Sequence, residues 1–322
     1  MAFLDLSLAE LREYRPTVAE PADFDEFWGE TLAESRALAK PATLTRVDAG
    51  VSSFEVYDVE FSGFGGHGIR GWLLVPANTE GPLPAVIRYH GYGGGRGLPH
   101  QDLSWAAAGY AYFIMDTRGQ GANWGSGGDT VDPVGNAASV PGYMTRGILD
   151  PEQYYYRRLY TDAALAVDAV RSFERVDAGR VTVYGGSQGG ALTIAAAGLV
   201  PDVFAAMPDV PFLSHFERAL GLTDAFPYGE VVKYLSVQRG AQAQVYQTLS
   251  YFDGVNFARR AKAPALYSVA LMDEICPPST VFASFNQYGG PAEIEIYPFN
   301  NHEGGGEYQW VRQAGWLTAL LA

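Results

Sequence analysis

Val181-Thr182-Val183-Tyr184-Gly185-Gly186-Ser187-Gln188-Gly189-Gly190-Ala191 begins as a β-branched run and passes directly into a serine flanked by glycines. An apolar, helix-like stretch, Ala191-Leu192-Thr193-Ile194-Ala195-Ala196-Ala197, follows it. A strand that turns at once into a helix leaves Ser187 at the tip of a sharp bend. The flanking positions must be small, because a Cβ there would collide with the turn. The centre of the stretch has the form G-x-S-x-G. One reading is a tight turn whose serine caps the helix; the other is a bend that presents the hydroxyl as a nucleophile. Glycine supplies 38 of the 322 residues, so the motif alone is weak, and it is the strand before it and the helix after it that favour the nucleophile.

Outward from the bend, short apolar runs recur at 85–89, 111–115, 265–269 and 294–297. Helical segments separate them near Leu103–Ala108, Leu159–Phe173, Leu192–Gly198, Val281–Gln287 and Tyr308–Leu321. Strand–helix alternation predicts an α/β fold, a mainly parallel sheet with helices on both faces. Toward the N-terminus, Ser53–Phe61 alternates apolar with polar residues and should pair with Ile69–Val75 across a glycine-rich turn, which suits antiparallel edge strands. Pro21 and Asp23 precede a helical spacing over Phe24–Leu38. One domain over 1–322 is expected, with an N-terminal extension at 1–45. Two segments interrupt the alternation. Residues 121–151 are rich in Gly, Asn, Ser and Pro, as in a functional or interface loop. Residues 208–251 hold amphipathic helical material and are expected to cap the site.

Composition excludes several classes. With 48% hydrophobic and 18% charged residues the chain can bury a large core and is not disordered. Its net charge of −14 repels phosphate backbones, so nucleic acid is not an expected partner. No stretch is long and apolar enough to span a membrane. Residues 1–7 lack a basic and apolar leader, and a cytoplasmic location is expected. The single cysteine, Cys276, forms no internal disulfide, the five histidines are scattered without zinc spacing, and no phosphate-loop motif occurs. No metal or cofactor is expected.

The strand–serine–helix pattern resembles the nucleophile elbow of α/β-hydrolases. A serine needs a base within hydrogen-bond reach, itself oriented by a carboxylate. The resemblance implies the chain order Ser, Asp or Glu, His. His67, His90 and His100 precede Ser187, which leaves His215 and His302. His215 falls in the cap-like segment, whereas His302 lies just beyond the last strand in Asn300-Asn301-His302-Glu303-Gly304-Gly305-Gly306, a loop whose glycines let an imidazole reach over the sheet edge. The acid should follow the penultimate strand, and Asp273 is the choice there; Glu274 is its near rival, Asp253 and Asp209 distant ones. For the oxyanion, the N–H of Gln188 after the nucleophile and that of Tyr92 in His90-Gly91-Tyr92-Gly93-Gly94-Gly95 are the candidate donors, each worth on the order of 3 kcal/mol in the transition state.

Three motifs then carry a closer resemblance: Arg118-Gly119-Gln120, Gly185-Gly186-Ser187-Gln188-Gly189 and His302-Glu303. His90-Gly91-Tyr92, Gly147-Ile148-Leu149-Asp150 with Tyr154-Tyr155-Tyr156-Arg157, Asp273–Thr280 and Asp23–Trp28 support it over nearly the whole chain. The sequence resembles the acetyl xylan esterase / cephalosporin C deacetylase family of carbohydrate esterases. That resemblance implies a serine esterase acting on acetylated xylo-oligosaccharides, other acetylated sugars and cephalosporin C, intracellular and assembled as a homo-hexamer, with 121–151 as an interface segment. Arg118 is read as bracing the loops near the elbow. Gly93 stands where a larger polar residue is expected, and a looser oxyanion loop is anticipated. Rival readings are a peptidase or amidase of the prolyl-oligopeptidase type, for whose large gating domain 322 residues leave no room, and a non-catalytic binding module, which would be expected to lose a triad residue.

Overall fold

The structure, a computed structural model, describes residues 5–135 and 139–322. Among the described residues nine strands form one sheet: β1 (Thr43–Val47), β2 (Phe54–Ser62), β3 (Gly68–Pro76), β4 (Leu83–Tyr89), β5 (Ala111–Met115), β6 (Val176–Gly186), β7 (Ala205–Asp209), β8 (Ala265–Ala270) and β9 (Ala292–Tyr297). Their spatial order is β1-β2-β3-β5-β4-β6-β7-β8-β9. The β1–β2, β2–β3 and β3–β5 pairs are antiparallel, and every pair from β5 across to β9 is parallel. The expected parallel sheet with an antiparallel edge is what the chain builds.

Side chains on successive residues of a strand point to opposite faces, and the two faces carry separate cores. Along β5, Ala111, Phe113 and Met115 enter one core and Tyr112 and Ile114 the other. The helices Phe24–Ala37, Tyr155–Arg171, Gln188–Leu199 and Gly254–Arg260 cover the first face. Trp105 of the short helix Ser104–Ala107, with Trp316 and Leu317 of Gly306–Leu321, covers the second. The helix Gln188–Leu199 is buried over its whole circumference from Gln188 to Ala197, which is why its sequence is apolar without amphipathic spacing. This burial fixes the elbow, because the helix that follows Ser187 cannot rotate away from the sheet.

Two strands escape the sequence pattern. β1 is an exposed edge strand with polar threonines, and β7 reads Ala-Ala-Met-Pro-Asp, with no β-branched residue and a proline that lacks a ladder donor. Pro208 and Asp209 therefore end β7, and the helical insertion comprises Phe216–Leu222, Tyr228–Val237 and Gln242–Ser250. The helix expected from Leu159 starts at Tyr155. Its tyrosines are poor helix formers held by packing: Tyr155 and Tyr156 meet edge to face at 5.3 Å. Segment 121–151 is irregular apart from a short 3₁₀ turn at Tyr143–Thr145, and its residues 136–138 lie outside the described residues.

Candidate active site

Ser187 sits between β6 and the buried helix with φ 58° and ψ −118°, a left-handed conformation that costs a non-glycine residue about 1–3 kcal/mol. The bend is held from both sides. The Ser187 N–H donates to the Asp209 carbonyl at 2.9 Å, and its carbonyl accepts from the Phe212 N–H at 3.0 Å. Gly189 must lack a side chain, because a Cβ there would press into the Tyr89 carbonyl of β4. Gly189→Ala is expected to destabilise the fold by about 1–3 kcal/mol and to lower esterase activity at least roughly tenfold. A urea midpoint and a rate matching the parent protein would contradict that account of the bend.

His302 Nε2 lies 3.0 Å from Ser187 Oγ, and His302 Nδ1 lies 2.9 Å from Asp273 Oδ2. The Asp273 side chain is fully buried, and its Oδ1 accepts the backbone N–H groups of Ile275 at 2.8 Å and Cys276 at 2.9 Å. Glu274, beside it, is exposed. The loops bearing Asp273 and His302 are tied together: the Leu271 N–H donates to the Tyr297 carbonyl at 3.0 Å and the Met272 N–H to the Asn300 carbonyl at 3.2 Å. The His302 loop is thus pinned to the Asp273 loop by main-chain bonds. The Tyr92 and Gln188 N–H groups have no acceptor among the described residues.

The rivals lie elsewhere. His215 has Nδ1 at 3.4 Å from the Tyr14 hydroxyl, and burial pushes its pKa down to about 4. Asp253 caps the helix Gly254–Arg260 through the Val255 N–H at 3.0 Å. Asp209 accepts from Gln309 and Gln313 Nε2, each at 2.9 Å, and burial pushes its carboxyl up to about 7. His90 is buried, and desolvation lowers its pKa to about 3, which keeps it neutral. Arg118 is fully buried and pairs with Asp162 at 2.5 Å and Asp132 at 3.3 Å, so it braces loops as read from the sequence.

Two residues that hold the site were missed. Gln120 Oε1 accepts the Gly93 N–H at 2.6 Å, and its Nε2 donates to the Tyr155 hydroxyl at 2.9 Å and to Gln188 Oε1 at 3.0 Å. It links the two loops that carry the candidate oxyanion donors. Gly93 adopts φ +80°, and a Cβ there would stand 2.6 Å from Asn123 Cβ, so glycine suits the position and the loop is fastened rather than loosened. Glu230, in the insertion, accepts from the Tyr92 hydroxyl and from the N–H groups of Gly142 at 2.9 Å and Met144 at 3.0 Å. The Arg118-Gly119-Gln120 motif flagged the neighbourhood of Gln120; nothing local flagged Glu230.

Ser187 and His302 open into a cavity of about 980 Å³, whose apolar rim includes Tyr92, Trp124, Phe226 and Ile275. Phe226 and Pro227 come from the 208–251 insertion, so that segment does border the site. Among the described residues, the His, Cys, Asp and Glu side chains close enough to hold a metal are Asp273, Cys276 and His302, two of which already bond each other.

The sequence model of the acetyl xylan esterase (AXE1) family matches residues 1–320. Among curated proteins, acetyl esterase Axe7A of Xylanibacter ruminicola is 30% identical over 292 residues, which is 89% of this chain; the chain spans 65% of that relative's length. Among solved structures, an acetyl xylan esterase from Paenibacillus sp. R4 has 40% identity and a TM-score of 0.90, with 98% of this chain and 99% of that one covered. Acetyl xylan esterase 1 from Thermoanaerobacterium sp. JW/SL YS485 has 35% identity and a TM-score of 0.90, with 99% and 100% covered. The match thus runs from the N-terminal helices through the elbow to the His302 loop, and the chain belongs to the acetyl xylan esterase family, carboxylic ester hydrolases on the α/β-hydrolase fold.

Proposed function

We propose that this protein is a serine esterase that removes acetyl groups from short xylo-oligosaccharides and other acetylated sugars through an acetyl-enzyme intermediate. The observation that carries the reading is the chain of hydrogen bonds from Ser187 Oγ through His302 to Asp273, at 3.0 and 2.9 Å, at the edge of a cavity. His302 takes the Ser187 proton as Oγ attacks the acetyl carbonyl, and Asp273 holds the Nδ1–H so that Nε2 stays an acceptor. The negative charge that forms on the carbonyl oxygen is met by the N–H groups of Tyr92 and Gln188. His302 then gives its proton to the departing sugar oxygen. Water, deprotonated by the same imidazole, attacks the acetyl-serine and releases acetate.

The 3-acetoxymethyl ester of cephalosporin C carries the same acyl group and falls within this proposal, as does assembly into a homo-hexamer. Hydrolysis rates across p-nitrophenyl acetate, propionate and butyrate test the acyl preference. Each added methylene is expected to lower kcat/KM, and butyrate should be at least roughly tenfold slower than acetate. Comparable rates would remove the case for an acetyl-sized pocket. Labelling of the parent protein by a fluorophosphonate separates an esterase from a binding module, and light scattering on a sizing column gives the assembly.

A further inference from the structure

The cavity at Ser187 is far larger than an acetyl group requires. It continues from the serine along the face of the sheet covered by Ser104–Ala107 and Gly306–Leu321, as far as Arg88, Tyr184 and Glu307. Arg88 and Tyr184 are register partners across β4 and β6. Tyr184 lies three residues before Ser187, roughly 10 Å back along the strand at about 3.3 Å per residue. Asp102 pairs with one guanidinium nitrogen of Arg88, and itself accepts the hydroxyls of Tyr112 at 2.6 Å and Ser104 at 2.7 Å. Asp102 is therefore saturated and serves to aim Arg88. Among the described residues, the remaining N–H groups of Arg88, the Tyr184 hydroxyl and the Glu307 carboxylate have no hydrogen-bond partner. All three line the same cavity. Beside them Tyr184 and Trp310 form an aromatic wall of the cavity, backed by the fully buried Trp105, which meets Tyr184 edge-on at 6.0 Å and Trp310 at 5.6 Å.

An unpaired cationic donor, a hydroxyl and an unpaired carboxylate beside aromatic rings select for a particular chemistry. An anion is disfavoured, since Asp102 and Glu307 outnumber Arg88 and the chain carries −14 overall. A neutral ring with adjacent hydroxyls fits all of them: one hydroxyl accepts from Arg88, its neighbour donates to Glu307, Tyr184 does either, and the C–H face of the ring lies on the aromatic wall. We infer that this end of the cavity is a subsite for a further, unacetylated sugar ring of a neutral oligosaccharide whose acetyl ester sits at Ser187, with Arg88, Tyr184 and Glu307 setting the preference. The inference rests on the esterase reading for what lies at Ser187.

The test compares acetylated xylotriose, which reaches the subsite, with p-nitrophenyl acetate, which does not. Tyr184→Phe and Glu307→Gln are each expected to lower the ratio of kcat/KM for the oligosaccharide over the small ester about tenfold, mainly through KM. Arg88→Gln should lower it further, and Arg88→Lys should restore part of the loss. A ratio unchanged in the Tyr184 and Glu307 variants, or an equal fall on both substrates, overturns the subsite. Binding of unacetylated xylotriose, measured by calorimetry, decides it independently. Affinity lost in Glu307→Gln supports the subsite even if the parent protein fails to cleave p-nitrophenyl acetate, an outcome that would sink only the esterase reading. Equal affinity in both proteins, or no binding to the parent, overturns it.

Discussion

Ser187→Ala is expected to lower kcat for p-nitrophenyl acetate by on the order of a million-fold, and to abolish fluorophosphonate labelling. The substitution removes one oxygen. It leaves the main-chain bonds to Asp209 and Phe212 that shape the bend, the glycines around it and the buried helix behind it. The two N–H groups proposed to hold the oxyanion stay in place as well, so a residue of catalysis over water, roughly a thousand-fold, should persist. The melting temperature should stay within a few degrees of the parent, because Ala meets the same backbone geometry as Ser. Such a pairing of intact fold with lost chemistry is what distinguishes a nucleophile from a helix cap. A variant that keeps more than about 1% of the parental rate would return Ser187 to the status of a structural turn.

The parts of this site legible in the sequence are those set by local sterics or by chain order. The elbow is written in consecutive residues, since Gly185 and Gly189 are dictated by a turn that brings β6, β4 and the following helix into contact; a Cβ on Gly185 would stand 2.7 Å from the Tyr89 carbonyl. Asp273 and His302 follow from the ends of β8 and β9, because a parallel sheet delivers the residues after its strands to one edge. The supports are different. Gln120 reaches Gly93 across 27 residues, and Glu230 reaches Tyr92 across 138. No periodicity or turn chemistry marks a side chain whose partner is brought to it only by the completed fold. The rigidity of the His302 loop is hidden from the sequence for the same reason. The positive φ values at Gly304 and Gly305 shape the loop, while its rigidity comes from main-chain bonds to the Asp273 loop that one segment read alone does not contain.

Asp273→Asn tests the most specific feature of the arrangement. The two carboxylate oxygens have different partners: Oδ1 accepts the Ile275 and Cys276 N–H groups, and Oδ2 faces His302 Nδ1. An amide has one oxygen and one NH₂ to place there. Turning the NH₂ toward two backbone donors would leave both N–H groups without an acceptor in a buried position, at about 1–3 kcal/mol each. The oxygen therefore stays with them, and the NH₂ points at His302. Nδ1 must then act as acceptor, which moves the imidazole proton to Nε2, the nitrogen proposed to accept the Ser187 proton. kcat should fall about ten-thousand-fold with the fold intact, the loss expected of a wrong tautomer rather than of a missing group. The rate of fluorophosphonate labelling should fall in parallel, since it needs the same proton transfer, while KM for p-nitrophenyl acetate changes little. A fall of less than about tenfold would mean that His302 is oriented without Asp273, and the acid would have to be sought elsewhere.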